Sequence, residues 1–162
     1  MAEMYDLTAE LAHHYEPKRK NRWMLEIDGI PAYMMKSAKR PSWTTEEHVI
    51  DYLNFKKYFA GKQTFDPLTL TLYDPIAPSG TLAVQEWMRL TYEAKTGRAG
   101  YAAMYKKDLT LKMLDPLGAV AEKWNISGAW IQTFDASDLD YADGAPMELT
   151  LTIRYDSATE EF

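Results

Sequence analysis

The chain has 162 residues, no cysteine and a formal net charge of −6. A chain of this length predicts a single domain, residues 1–162, that buries roughly 70% of the unfolded surface. The composition excludes disulfides, thiolate nucleophiles and cysteine-ligated zinc, and with no run of 18 apolar residues we expect neither a signal peptide nor a membrane-spanning segment.

The charge is unevenly distributed along the chain. Residues 135–162 hold eight acids and one base, Arg154, whereas residues 1–134 are nearly balanced, with 16 acids and 17 bases. This balance is not that of a basic nucleic-acid binder. The cluster KRKNR (18–22) is the strongest candidate for a phosphate-binding patch, but no aromatic side chain is interleaved with it. A solvated linker is the plainer interpretation.

The first segment, MYDLTAELAHHYEP, is typical of a short amphipathic helix that Asp6 or Thr8 caps and Pro17 ends. Residues 1–20 are therefore predicted as an N-terminal helix and basic linker. The next stretch, WMLEIDGIPAYMMKSA, predicts a hairpin, with a strand at residues 24–27, a turn at Asp28-Gly29 and a return at residues 33–35.

The segment HVIDYLNFKKYF (48–59) is apolar on both sides if it is extended. One face would show Val49, Leu53, Phe55 and Phe59, and the other Ile50, Tyr52 and Tyr58. An antiparallel strand of a single domain normally leaves one face polar, so a second cover is expected, and aromatic residues favour interfaces. We predict an extended assembly arm at residues 43–60 with a wholly internal core strand as the alternative. The subunit-interface candidates are Val49, Tyr52, Phe55, Tyr58 and Phe59.

Three segments alternate strictly between apolar and polar residues: TFDPLTLTLYDP, KDLTLKMLDP and MELTLTIRYD. Successive side chains of a strand point to opposite faces, so each segment predicts a half-buried strand. Each strand would have a leucine face toward the core and a face of threonine and charged side chains toward solvent.

The segment PSGTLAVQEWMRLTYEAKTGRAGY predicts the central helix. Ser79 can cap it, Val84, Trp87, Met88 and Tyr92 recur at helical spacing, and Gly97 and Gly100 would finish it. A turn at residues 116–118 and a strand near residues 119–126 follow the second alternating segment. The order favours a mainly β fold with one central α-helix, arranged as an antiparallel β-sandwich or open barrel.

The residues offer little chemistry. His13 and His14 are adjacent, so on a helix they point about 100° apart and cannot chelate one metal, and no phosphate-binding loop or nucleophile motif occurs. The acidic run DLDYADG has its glycine out of register for a calcium loop. We expect no catalytic, cofactor-binding or metal-binding residues. Five scattered tryptophans leave a small-ligand β-barrel binding protein as an alternative.

Two longer segments, AGKQTFDPLTLTLYD and ISGAWIQTFDASDLDYADGAPMELTLTIRYD, resemble the tail tube proteins of contractile-tailed bacteriophages. The likeness covers residues 21–157, although Ile131 stands where that family usually has proline. The matching residues are Gly61, Thr64-Phe65-Asp66, Gly128, Trp130, Leu139-Asp140-Tyr141 and Tyr155-Asp156.

This resemblance implies a fold of the phage tail tube type, related to the tube subunits of type VI secretion. It implies hexameric rings, stacked into a hollow tube inside a contractile sheath, that conduct DNA into the host cell. The implied partners are other copies of the chain, the tail sheath protein, and the baseplate and tail terminator proteins. The implied location is the tail of a virion assembled in the bacterial cytoplasm, with no cofactor, no enzymatic activity and no membrane insertion.

The resemblance does not decide which cargo the tube carries or which residues line its bore. The alternative within the same class is a tube subunit of a phage-derived contractile injection particle or of a type VI secretion system. Because lysine and arginine contacts to phosphate would hold DNA in place, acidic side chains suit a DNA conduit that must not bind its cargo. The lumen candidates are therefore Asp138, Asp140, Asp143 and Glu148.

Overall fold

The computed structural model describes residues 15–162. The predicted N-terminal helix, together with His13 and His14, lies outside the described residues. Within the described part of the chain, no helix is both long and apolar enough to cross a membrane.

Eleven strands and two helices form the described part of the chain, with a 3-10 turn at Ala32–Met34 between the first two strands. In chain order they are β1 (Trp23–Glu26), β2 (Met35–Ala38), β3 (Trp43–Tyr52), β4 (Phe55–Phe65), β5 (Leu68–Tyr73), α1 (Gly80–Thr91), β6 (Tyr92–Glu93), β7 (Arg98–Ala99), α2 (Ala102–Tyr105), β8 (Lys107–Leu114), β9 (Val120–Ala136), β10 (Glu148–Arg154) and β11 (Ser157–Glu161).

Two antiparallel sheets share the long strand β9. The first half of β9 pairs with β8 and β11, and β1 lies beyond β8. The second half of β9 pairs with β10, followed by β5 and β2. In the described residues the path begins at β1 and ends at β2 without closing. This arrangement confirms the predicted antiparallel sandwich or open barrel.

The bend between the two halves of β9 depends on Gly128. This residue has a φ of +68°, a left-handed conformation that is costly for any residue with a Cβ. A Cβ at this position would also lie 2.1 Å from the Asp156 carboxylate. The strand that pairs with this side of β9 also changes here, from β10 along its second half to β11 along its first half. Between these two strands, the Asp156 N–H donates to the Ser127 carbonyl at 3.0 Å.

The leucine faces of the alternating strands form the core, as predicted. At most 1% of each of these side chains is exposed, whereas the threonines between them are exposed or half-buried. The buried members are Leu68, Leu70, Leu72, Leu109, Leu111, Leu149, Leu151 and Ile153.

The prediction that the strands on either side of Asp28-Gly29 pair with each other is wrong. The Asp28-Gly29 turn exists, but it is closed by a single bridge between Ile27 and Ile30. The chain then turns through the 3-10 segment, so β1 pairs with β8 and β2 pairs with β5. The strand predicted near residues 119–126 is likewise only the first half of β9.

The central helix begins where predicted and ends earlier. The Ser79 hydroxyl accepts the Leu82 N–H at 3.3 Å, and Val84 and Trp87 are buried. At Tyr92, however, the backbone is extended and pairs with Ala99. Gly97 therefore lies in the turn of the β6–β7 hairpin, and a second, one-turn helix, α2, precedes β8.

Candidate assembly surfaces

The predicted assembly arm is a hairpin rather than one extended strand. β3 and β4 pair only with each other among the described strands, and the chain reverses at Leu53-Asn54, where Leu53 has a φ of +53°. We call residues 43–65 the arm. At 3.3 Å per residue, the distance from Trp43 to Tyr52 is about 30 Å, so the tip lies far from the anchored base.

The base of the arm is fixed to the sandwich by aromatic packing. The ring centroid of Trp43 lies 6.1 Å from that of Trp124 and 6.2 Å from that of Phe65, and Phe65 lies 5.7 Å from Tyr155. The Tyr155 hydroxyl donates to the Ser42 carbonyl at 3.4 Å, and burial raises the pKa of this tyrosine. These contacts join both strands of the arm to the end of the core.

The register of the hairpin corrects the predicted faces. Tyr52 pairs with Phe55, Ile50 with Lys57 and His48 with Phe59, and cross-strand partners share a face. We call this side the aromatic face; its apolar members are Ile50, Tyr52, Phe55 and Phe59. Val49 and Tyr58 pair on the opposite side, between the pairs Glu47–Ala60 and Asp51–Lys56.

All five interface candidates are exposed in the isolated subunit. The exposed fraction is 73% for Tyr52 and 74% for Phe55, and it falls to 43% at Val49. Burying an aromatic side chain is worth about 1.5–3 kcal/mol, and large exposed apolar patches are typical of interaction sites. The arm therefore presents an apolar surface that its own subunit leaves uncovered.

The outward side of the second sheet carries hydroxyl groups in register. Thr152 lies between Thr69 and Thr133, and Thr150 lies between Thr71 and Asp135. We call this surface the hydroxyl face. At its rim, Glu148 lies opposite Tyr73 on the neighbouring strand and forms an ion pair with Lys36. The hydrogen bond within this ion pair raises the pKa of Lys36.

The other three lumen candidates lie apart from Glu148, in the loop that joins β9 to β10. We call residues 137–147 the acidic loop; Asp138, Asp140 and Asp143 are all exposed on it. The Asp140 carboxylate accepts the Ala142 N–H at 2.9 Å, and the Asp143 carboxylate accepts the Ala145 N–H at 3.0 Å. The loop also presents Leu139, which is 81% exposed, and a fully exposed Tyr141.

A groove of about 420 Å³ lies between the edge strands β1 and β2. Its rim is basic and brings the KRKNR cluster together with side chains around β2: Lys18, Arg19, Lys20, Arg22, Lys36 and Arg40. Its apolar lining consists of the core residue Leu111, of Trp23, Ala38 and Met113, which pack against the core, and of Leu114. We call this feature the basic groove.

A buried carboxylate forms ion pairs with two of the rim cations. Glu122 is 2% exposed, forms an ion pair with Lys18, and lies 3.9 Å from the Arg40 guanidinium. Burial alone would raise the pKa of Glu122, but hydrogen bonds from Lys18 and Trp124 and the two positive charges outweigh it, so the pKa is lowered. Arg22 pairs with Glu16 at 3.6 Å. Within residues 15–162, Arg19 and Lys20 have no acidic partner within 4 Å.

Residues 15–162 contain no group of three or more histidine, aspartate or glutamate side chains placed to hold a metal ion. The tryptophans do not surround one cavity: Trp87 is buried in the core, Trp124 packs against Trp43, and Trp130 packs against Tyr105 with centroids 6.5 Å apart. The basic groove was missed by sequence reasoning, because the only signal was the KRKNR cluster and the second half of the rim comes from residues 36–40.

Comparison with known proteins identifies the family. The model of the T4-like virus tail tube protein gp19 family matches residues 19–159. The tail tube protein of Serratia phage KSP90 is 20% identical over 175 residues, covering 99% of this chain and 98% of that protein.

Solved structures share the fold. A chain in the tube-terminating cap of the anti-feeding prophage superposes with a TM-score of 0.72 and 17% identity, covering 97% of this chain and 99% of that one. A chain in the sheath–tube complex of the extracellular contractile injection system PVC gives 0.69 and 18%, covering 95% and 97%. The family match spans nearly the whole described chain, and the chain therefore belongs to the T4-like virus tail tube protein gp19 family as a structural subunit of the tail tube.

Proposed function

We propose that six copies of this chain form a ring and that the rings stack into a hollow tube inside a contractile sheath. The tube begins at a baseplate, ends at a terminator protein and conducts DNA into the host cell. Related folds occur in baseplate, sheath–tube and terminator assemblies of contractile injection systems, which supports these partners. Assembly takes place in the bacterial cytoplasm, and the tube is part of the virion tail.

The observation that carries the proposal is the uncovered aromatic face of the arm. The base of the arm is held by Trp124 and Tyr155 of its own subunit, while Tyr52 and Phe55 at the tip are about three-quarters exposed. A monomer gains nothing from a rigid apolar hairpin in water, whereas a neighbouring subunit in the ring or stack would bury it.

The strand count also supports an assembly. A barrel of eight strands is filled by its own side chains, and an aqueous channel needs about 16 strands or more. The two sheets of this chain do not close, and β1, β2 and β11 are edges within the described residues. Copies that join their sheets around one axis would supply the missing strands and cover those edges, which otherwise invite aggregation.

The hydroxyl face is the surface that we place toward the bore. Its threonines offer water neutral hydrogen-bonding groups, and the charges on or beside it include Asp135, Arg154 and the paired Glu148 and Lys36. Such a mainly neutral surface would offer a polyanion few of the phosphate contacts that retain DNA. This lining favours DNA over protein as the cargo, and the chain has no catalytic role in the proposal.

The test compares two cross-strand pairs at the tip of the arm. Tyr52 and Phe55 pair on the aromatic face, and the adjacent pair, Asp51 and Lys56, lies on the opposite face. We expect the double variant Tyr52→Ser, Phe55→Ser to remain a folded, soluble subunit that no longer forms rings or tubes in negative-stain electron microscopy. The matched control, Asp51→Ser with Lys56→Ser, should assemble. Normal tubes from the first variant, or its loss of fold by circular dichroism, would contradict the role of the arm.

A further inference from the structure

The basic groove is an acceptor surface without a described occupant. It lies where the sandwich stays open, so a segment that enters meets apolar side chains of the lining and cations at the rim. Among residues 15–162, acids pair with the other rim cations, and none lies within 4 Å of Arg19 or Lys20. The groove therefore suits a segment that is both acidic and apolar.

The acidic loop has this combination of properties. It carries three aspartates and no base, and between them it exposes Leu139 and Tyr141. Two short turns within it are capped by the carboxylates of Asp140 and Asp143. No residue of the loop lines the groove of its own chain.

We propose that the acidic loop of one subunit docks in the basic groove of a neighbouring copy. This inference rests on the proposed tube. Leu139 and Tyr141 would cover the apolar lining, and the aspartates would pair with Arg19 and Lys20. Donor and acceptor are different surfaces of the same chain, so the contact is head-to-tail, the kind that generates closed rings or continuous stacks. Complementary charge would also speed the encounter and fix its register.

The proposal moves three of the predicted lumen aspartates into a subunit contact. Glu148 keeps its place beside the hydroxyl face, because it lies on β10 and is held by Lys36. The two roles predict different outcomes for reversed charge. Lysines in the bore would retain DNA in assembled tubes, whereas lysines in the acidic loop would prevent assembly.

The first experiment reverses each surface separately. The groove variant is Arg19→Glu with Lys20→Glu, and the loop variant is Asp138→Lys with Asp143→Lys. Each variant places like charges at every contact, so we expect at least a roughly tenfold loss of sedimentable rings and tubes for either one alone. The control variant, Lys95→Glu with Arg98→Glu, makes the same charge change as the groove variant at the exposed β6–β7 hairpin and should assemble like the unmodified protein.

Mixing the two defective variants is the decisive step. In an equimolar mixture, the reversed, acidic groove of the groove variant can receive the reversed, basic loop of the loop variant. The unmodified, basic groove of the loop variant can likewise receive the unmodified, acidic loop of the groove variant. Rings in which the two variants alternate satisfy every contact, so we expect assembly to return, and its failure to return would overturn the proposal.

Crosslinking keeps the test valid if a reversed variant misfolds. The chain has no cysteine, so the double variant Lys20→Cys, Tyr141→Cys has only those two thiols. Oxidation of assembled protein should give a ladder of covalently linked subunits, while Lys95→Cys with Tyr141→Cys should not. If Tyr5→Cys instead links to Lys20→Cys within one chain, the N-terminal segment fills the groove and the proposal is wrong.

The docking contact and the tube function can be overturned separately. Rings and tubes from the unmodified protein, together with rings and tubes from both charge-reversed variants, would overturn the docking contact and leave the tube function intact. An unmodified protein that stays monomeric under all assembly conditions would overturn the tube function and the contact together.

Discussion

At the scale of single residues, position along a strand decides what a side chain contributes. Leu70 lies on the inner side of β5 and is fully buried, while Thr69, its neighbour in the chain, is exposed on the hydroxyl face. The two residues have the same backbone conformation and differ only in the side of the sheet they face. Their contributions to the free energy of unfolding should therefore differ strongly.

We predict that Leu70→Ala lowers the free energy of unfolding by about 2–5 kcal/mol, because it removes apolar contacts and leaves a cavity. Thr69→Ala should cost less than about 1 kcal/mol, since it removes an exposed hydroxyl from a strand. Thermal or denaturant unfolding of the two single variants measures the difference. Equal losses would mean that the sheet buries both faces in the subunit.

At the scale of the elements, a carboxylate outside α1 stabilises the beginning of that helix. Asp74 accepts the Thr81 N–H at 3.1 Å and the Thr81 hydroxyl at 2.6 Å. Burial alone would raise the pKa of Asp74, but these hydrogen bonds outweigh it and the pKa is lowered from its ordinary value of 3.8. The charged form is therefore the one that the folded protein favours.

We predict that Asp74→Ala costs about 1 kcal/mol of stability at neutral pH, the usual value of a lost helix cap. A lowered native pKa gives stability that is complete above the unfolded pKa, near 4, and disappears as the pH falls through the native pKa. The difference between the variant and the unmodified protein should therefore shrink in acid. Denaturant unfolding at several pH values, with Glu86→Ala as a control on the exposed side of α1, measures it. A difference that does not change with pH would contradict the role of the carboxylate.

Elements that depend on local signals could be predicted from the sequence. Alternation located the three leucine strands, and the hydroxyl of Ser79 located the start of α1. The pairing of β1 and β2 could not be predicted, because their partners lie far away in the chain and a Pro31-containing turn separates them. The reversal of the arm could not be predicted either, because Leu53-Asn54 lacks the glycine that usually marks a tight hairpin.

At the scale of the whole molecule, the polar sides of the two sheets are different in kind. The outward side of the first sheet carries ion pairs, Glu26 with Lys112 and Lys123 with Glu161, whereas the second sheet carries the hydroxyl face. The resemblance indicated the tube from sequence alone, but the basic groove and the hydroxyl face could be recognised only in the folded structure. The basic groove, for example, joins residues 18–22 to residues 36–40.

We predict that Thr71→Lys with Thr150→Lys makes assembled tubes retain DNA, because these neighbours lie on the hydroxyl face that we place in the bore. Retention should weaken as salt rises, with a slope of about −0.9 per phosphate contact on logarithmic axes. The matched control, Thr110→Lys with Thr159→Lys, lies on the outward side of the first sheet. Equal DNA binding by both variants would contradict the placement of the hydroxyl face.

The central position of β9 has a consequence for the order in which the chain is made. Synthesis runs from the N-terminus, so the arm leaves the ribosome before either sheet has its middle strand. Trp43 and Phe65 receive their anchors, Trp124 and Tyr155, only with the last third of the chain. A nascent or truncated chain thus carries the aromatic hairpin without the contacts that fix its orientation. Only a completed polypeptide holds the arm in the orientation seen in this structure.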